Sequence, residues 1–298
     1  MIDVTNRIQH SMCVEQYITS DNELKTRIKP LYALTELFGN ELPTGNVKDC
    51  LDSLEAYVKD VAQVKGFQKP HQGAFSNTRG LWFELLVAVF AWNFRIENNL
   101  NDILIVKMPN VKTFDFRRIF NSSTLEMINQ LDRSLLTHTG GENVRLITSN
   151  PDLLIIKQES LVQESFNQTI TGLSTHHLEE ALGLYRCLEN NVSWDSLVAG
   201  VGIKTSLRPD RRLQLVHEGN ILKALFAHLK MRNWNRHPKF QYYGASNDKV
   251  SRADDDALQT AATHSIINVD TAPERAVDGI FSLNTFDNIN EMFKEIIS

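Results

Sequence analysis

The chain has 298 residues, 42% of them apolar and 22% charged, enough to bury one large core or two modest ones and too apolar for intrinsic disorder. A net charge of −5 excludes a nonspecific coat on nucleic acid, so any polyanion has to be gripped by a local patch. Three distant cysteines, Cys13, Cys50 and Cys187, favour neither a disulfide framework nor a zinc site, and without a membrane-length apolar run or a signal-peptide layout a cytoplasmic protein is expected.

Residues 1–65 read as helical, with Leu31, Leu34, Leu37 and Phe38, then Leu51, Leu54, Tyr57, Val58 and Val61, at spacings of three and four. Gly39-Asn-Glu-Leu-Pro-Thr-Gly45 interrupts the pattern, which suggests a helical packing layer with no visible chemistry. Residues 66–77 form a loop that leads into a helix start at Ser76 or Asn77. The segment that follows, residues 80–92, is apolar almost all round and has to be central. Its one acid, Glu84, is costly there unless it is paired; Arg79 is the nearest structural partner, and an acidic site shared with other elements is the other explanation.

Residues 103–108 read as a strand, beyond which Lys107, Lys112, Arg117 and Arg118 make a basic area that could grip a phosphate backbone, although any one of them is more simply a solvated charge. Residues 144–148 and 153–156 read as two short strands separated by Ser149-Asn150-Pro151-Asp152, with Asp152 at the entry to the second; an Asp after Pro is also ordinary turn chemistry. Residues 160–191 read as helical and polar, and His176-His177 as a capping or surface pair.

Residues 198–204 read as a short buried strand closing on Lys204. Arg208-Pro-Asp-Arg-Arg212 breaks that run, and from about Arg211 the residues Leu215, Leu222, Leu225 and Leu229 recur at helical spacing. Glu218 falls on the same stripe, where an ionised carboxylate needs a cation, a hydrogen-bond donor or a raised pKa; a glutamate reaching the rim of the core is the bland explanation. Residues 204–212 carry four cations against Asp210, a formal charge of +3. Trp234 lies among polar neighbours, as a residue that buries itself against another subunit or under a loop would. Tyr242-Tyr243 opens a strand-like piece, Asp254-Asp255-Asp256 fits a solvated helix start better than a metal site, residues 260–269 read as a strand, and residues 281–297 as a closing helix.

Asp152, Lys204 and Glu218, with the blocks Val106-Lys-Met-Pro-Asn110, Leu146-Ile-Thr-Ser-Asn-Pro-Asp152, residues 208–215, His217-Glu218-Gly219 and Ala262-Thr-His-Ser-Ile266, resemble the PD-(D/E)XK restriction endonucleases. More narrowly, the chain resembles the tetrameric type IIF enzymes that cut RCCGGY, the BsrFI-like subfamily, over most of its length beyond about residue 75. One position departs from the general pattern: an acid is usual two residues before the lysine, and here that place is Gly202. The resemblance implies that Glu218, fourteen residues after Lys204, supplies the missing carboxylate, and that Glu84 is a further active-site acid. It also assigns Arg208, Asp210 and Arg211 to reading the central CCGG. That assignment is chemically sound, because arginine donates two bonds to guanine O6 and N7 and aspartate accepts from cytosine N4; a surface salt-bridge knot is the competing reading.

The expected fold is therefore α/β, a restriction-endonuclease-like core with a mixed sheet flanked by helices. One domain of residues 1–298 is expected, made of a helical layer (1–75) and a catalytic and recognition core (76–298). The expected activity is Mg²⁺-assisted hydrolysis of both strands of RCCGGY duplex DNA after the purine, leaving 5′-phosphates. Asp152 and Glu218 would hold the metal, Lys204 would orient water, and Glu84 would complete the pocket. The resemblance also implies a bacterial homotetramer of two back-to-back dimers without a small-molecule cofactor, and Trp234, flanked by Arg232, Asn233, Asn235 and Arg236, is placed at the contact between dimers as a typical interface anchor. A repair or structure-directed nuclease on the same core, or a DNA-binding protein without catalysis, are the alternatives.

Overall fold

The computed structural model describes residues 8–138, 146, 148–161, 168–235, 237–267 and 273–297. The N-terminal layer is not wholly helical: it opens with a hairpin, β1 (Val14–Ile18) antiparallel to β2 (Leu24–Ile28). Asn22, at φ 59°, takes the left-handed turn conformation that Asn tolerates better than most residues. The missed signal was period-two alternation, Thr26 and Ile28 inward against exposed Lys25 and Arg27, on either side of a Thr-Ser-Asp-Asn turn cluster.

Helix α1 (Pro30–Phe38) starts on a proline, whose missing N–H costs nothing in a first turn. Helix α2 (Val47–Val64) is capped by Asn46, whose side chain accepts from Asp49 N at 3.1 Å, and it buries one apolar face. Helix α3 (Gln72–Glu97) begins a turn earlier than the sequence pattern indicates, because His71 Nδ1 caps it by accepting from Ala74 N at 3.2 Å. It buries residues on every side, as its composition requires.

Five strands form the central sheet in the order β3 (Ile103–Lys107), β4 (Leu153–Lys157), β5 (Leu197–Lys204), β6 (Gln241–Ser246) and β7 (Gly279–Ser282). The β3–β4 and β4–β5 pairs are antiparallel and the other two parallel, so the sheet is mixed, as expected. A parallel pair needs a long crossover, and α6 (Pro209–Asn233) supplies it between β5 and β6. Around the sheet lie α4 (Ser122–His138), α5 (Thr175–Gly183), α7 (Arg252–Leu258) and α8 (Phe286–Ile297). Helix α3 packs on β3 and β5, and α6 on β5 and β6. One hydrophobic cluster runs from Cys13 and Leu34 through Trp82 and Phe83 to the strands and α8, so the N-terminal elements share the core of the sheet.

Several expected elements differ. The strand expected at residues 144–148 falls partly outside the described residues, and those described there are not strand. Of residues 160–191, part of which is also outside the description, only α5 is a full helix, capped by Ser174 accepting from His177 N at 3.2 Å. Residues 260–269 are not a strand as far as described: Ser265 turns its amide (2.9 Å) and hydroxyl (2.7 Å) back onto the Ala262 carbonyl, and a 3₁₀ turn, Thr263–Ile267, results. The closing helix begins at Phe286 rather than near residue 281, because Gly279–Ser282 pairs with β6 instead. Asp254 is a capping acid in a Ser251–Asp254 capping box, in keeping with the solvated helix start read from the sequence.

Candidate active site

The turn at Ser149-Asn150-Pro151-Asp152 is clamped by Asn150, whose side chain accepts from Phe116 N at 2.9 Å and donates to the carbonyls of Pro109 and Phe114, each at 2.7 Å. That fixes Asp152 just ahead of β4, and its carbonyl accepts from Met108 N at 3.0 Å, which carries the β3 ladder one residue further. Because β4 and β5 run antiparallel with Leu153 opposite Val201, the start of one lies beside the end of the other. Asp152 Oδ2 reaches across, accepting from Ile203 N at 2.5 Å and from Lys204 Nζ at 3.2 Å.

From the other direction α6 brings Glu218, whose side chain is buried. Its Oε1 stands 4.0 Å from Lys204 Nζ and its Oε2 accepts from the Tyr242 hydroxyl at 2.5 Å. Glu84 enters from α3, but Arg79 is not its partner, being held by Asp52 at 2.7 Å and Glu55 at 3.4 Å. The buried Lys107 takes that place, with Nζ 2.7 Å from Glu84 Oε2. Lys107 therefore faces the pocket and not a solvated phosphate-gripping surface. Arg117, bound to Asp115 at 2.5 Å and Asp132 at 3.3 Å, and Arg118, bound to Glu189, have acidic partners too.

Three carboxylates, Glu84, Asp152 and Glu218, thus stand against two ammonium groups, Lys107 and Lys204. Burial pushes the Glu84 carboxyl above its ordinary pKa and the Asp152 charge adds to that, against the pull of Lys107. Burial also raises Glu218, with Lys204 opposing and Asp152 reinforcing the rise. For Lys204, burial works downward, but the charges of Asp152 and Glu218 outweigh it and the ammonium is held above its usual value. Such a pocket is short of positive charge. Among the described residues no three His, Cys, Asp or Glu side chains are grouped closely enough to hold a metal ion by themselves. A cation here would take hard oxygens from Asp152 and Glu218 and leave positions for water and a phosphate, which is how Mg²⁺ is usually bound.

The vacancy at Gly202 has a steric reason. A Cβ there would land on the Tyr242 hydroxyl and come within 2.5 Å of Leu215 Cδ2, so the place from which a strand carboxylate would emerge is filled by the phenol that binds Glu218.

The Cfr10I/Bse634I restriction endonuclease family matches the chain over residues 11–298. The chain belongs to that family. The type II restriction enzyme Cfr10I of Citrobacter freundii is 34% identical over 262 residues, 87% of this chain and 90% of that one. Among solved structures, the type IIF restriction endonuclease Bse634I with cognate DNA superposes with a TM-score of 0.94 at 58% identity, covering 98% of this chain and 99% of that one. A second Bse634I structure gives a TM-score of 0.93 at 59% identity over the same shares. This Cfr10I/Bse634I-family chain is accordingly a type II restriction endonuclease, a site-specific hydrolase of DNA.

In this endonuclease Arg208 is the N-cap residue of α6, and Pro209 starts the helix two residues before the periodicity does. Arg208 and Asp210 lie 3.5 Å apart and Arg211 Nε is 3.7 Å from Asp210; all three side chains are exposed and loosely tied. Arg212 differs, pinned to Asp254 at 2.5 Å. At the far end of α6, Trp234 is 92% exposed. Sequence reasoning missed Tyr242 and Lys107. A tyrosine in an apolar strand needs a partner for its hydroxyl, and Ile103-Leu-Ile-Val-Lys107 closes on a lysine just as β5 closes on Lys204; both signals were present.

Proposed function

We propose that this enzyme hydrolyses both strands of duplex DNA at RCCGGY, cutting after the purine and leaving 5′-phosphates, through a PD-(D/E)XK-type site whose second acid comes from α6. The observation that carries this reading is the convergence of Asp152, Lys204 and Glu218 from β4, β5 and α6 within ion-pair reach of one ammonium group. Asp152 and Glu218 would hold the divalent cation, a fit supported by their hard oxygens and by the unmatched negative charge of the pocket. Bound Mg²⁺ supplies Lewis-acid polarisation of the phosphate and a more acidic water. Lys204 orients the attacking water and offsets charge developing on the phosphate. Glu84, held by Lys107, completes the acidic wall.

Arg208 and Arg211 donate to guanine edges and Asp210 accepts from cytosine N4, a role suited to their exposure at the start of a long helix. Residues 1–298 work as one endonuclease domain, in keeping with the shared hydrophobic cluster. A palindromic site calls for a two-fold dimer, and two such dimers meet at Trp234 in a cytoplasmic bacterial homotetramer that needs no small-molecule cofactor. Among the described residues no helix is long and apolar enough to cross a membrane.

Plasmids with and without RCCGGY, incubated with Mg²⁺ or with a chelator, test the reading. Double-strand cuts confined to RCCGGY and abolished by chelation are expected. Cutting without regard to that sequence would point to a repair or structure-directed nuclease, and binding without any cutting would leave a DNA-binding protein; either overturns the proposal.

A further inference from the structure

Tyr242 is fully buried on β6, and its hydroxyl donates to Glu218 Oε2 at 2.5 Å. Three glycines border it. A Cβ at Gly200 would stand 3.3 Å from Tyr242 Cδ2, one at Gly219 would stand 2.9 Å from Cδ1, and one at Gly202 would land on the hydroxyl itself. Two of these glycines are on β5, whose Gly200 is registered directly opposite Tyr242, and the third follows Glu218 on α6. The ring is therefore wedged between the strand that ends in Lys204 and the turn of helix that carries Glu218.

A glutamate has three side-chain torsions, and the last, which sets the plane of the carboxylate, is soft. Left alone, Glu218 would have to be ordered each time a ligand engaged it. The phenol occupies Oε2 and leaves Oε1 turned toward Lys204 at 4.0 Å, on the side where Asp152 also lies.

We propose that Tyr242 is a positioning residue, its hydroxyl holding the Glu218 carboxylate with Oε1 facing the Asp152–Lys204 pair and so setting how tightly the site binds its divalent cation. This rests on the reading of Glu218 as a metal ligand. Gly202 belongs to the same device, since a Cβ there meets the hydroxyl; at Gly200 and Gly219 a Cβ would first meet Phe240 and the Ala276 carbonyl.

Tyr242→Phe keeps the ring and removes only the donor. A hydrogen bond to a charged group, once lost, translates into a rise of about tenfold or more in the Mg²⁺ concentration giving half-maximal cleavage. Much of the rate should return at saturating Mg²⁺, with KM for DNA shifted by less than about threefold, since the loss is in cation binding. A readout independent of turnover is Mn²⁺ binding, followed by electron paramagnetic resonance in Lys204→Ala chains bound to cognate duplex, with and without Tyr242→Phe; the same weakening is expected. Gly202→Ala, which crowds both the hydroxyl and Leu215, should raise the Mg²⁺ requirement in the presence of Tyr242 and do less in the Tyr242→Phe chain. Unchanged Mg²⁺ requirement and Mn²⁺ affinity in folded Tyr242→Phe would overturn the proposal. So would a rate loss that no Mg²⁺ concentration relieves while Mn²⁺ affinity is normal. Glu218→Gln, run alongside, separates the two levels: wild-type cleavage there would remove the metal-ligand reading itself, whatever Tyr242 does.

Discussion

Glu218 occupies a helical stripe on which Leu215, Leu222, Leu225 and Leu229 are all buried, and the protein tolerates it there because Lys204 and Tyr242 meet its two oxygens. Its folded pKa nonetheless lies above the ordinary carboxyl value, burial outweighing Lys204. The sign of the linkage follows. A group whose folded pKa exceeds its unfolded one gives stability that is fully present below the unfolded pKa and is lost as pH rises through the folded one. At neutral pH Glu218 is therefore a destabilising group in the metal-free protein. Glu218→Gln should abolish cleavage while raising Tm in metal-free buffer near neutral pH, and the gain should shrink as pH falls through the pKa of the wild-type residue; a lower Tm at neutral pH would contradict the electrostatic account. Asp152→Ala and Lys204→Ala should also lose cleavage in a plasmid assay while circular dichroism shows them folded. If Asp152→Ala still cut, the pocket described here would not be where the chemistry occurs. At this scale the sequence was informative about charge and silent about partners. A carboxylate on a leucine stripe and a lysine closing an apolar strand are visible as violations of pattern, whereas Tyr242 and Lys107 sit in strands they suit, and only the tertiary arrangement turns their polar ends toward the acids.

Helix α6 spans 25 residues, about 37 Å at the usual rise, and carries the Arg208–Asp210–Arg211 cluster at its start, Glu218 in its middle and Trp234 as its C-cap. With the roles proposed for that cluster and for Glu218, base reading and catalysis are mechanically joined: a shift of the helix start along a DNA groove moves Glu218 with it. The expected consequence for specificity is sharp. Arg208→Ala or Arg211→Ala should cost about 1–3 kcal/mol of discrimination between CCGG and other sequences, measured as the ratio of cognate to random-duplex affinity. Lys112→Ala should at most weaken both evenly and reduce the salt slope. Equal losses on both duplexes for the arginine variants would demote them to backbone contacts. The long helices were legible, α3 through an apolar run too long for a strand and α6 through a leucine stripe that repeats over several turns. The β1–β2 hairpin and β7 were not, since a strand of four or five residues offers two or three inward positions, too few to outweigh neighbouring helical spacings. The mixed order of the sheet was legible only through the resemblance, because strand neighbours are set by contacts far apart in sequence.

At the scale of the whole molecule one hydrophobic cluster already joins the N-terminal elements to the sheet, so the large apolar groups left outside ask for a partner. Trp234 is 92% exposed and Met231, three residues earlier, 69%. Trp234 also has a left-handed backbone, φ 51°, at a C-cap position where glycine is the common choice and a bulky side chain costs about 1–2 kcal/mol. Neither packing against the described residues nor backbone preference accounts for a tryptophan there, and the proposed contact between two dimers would give the side chain an anchoring role. Sedimentation should accordingly find a tetramer for the wild type and a dimer for Trp234→Ala, both folded and both binding DNA. Trp234→Gly makes the distinction cleaner: glycine suits the left-handed cap, so each protomer should fold at least as well, and any fall from tetramer to dimer can be assigned to the lost side chain and not to a damaged helix end. A tetramer that persists in both variants would move the dimer–dimer contact elsewhere on the surface, and a monomeric wild type would remove the two-fold argument for cutting both strands in one binding event.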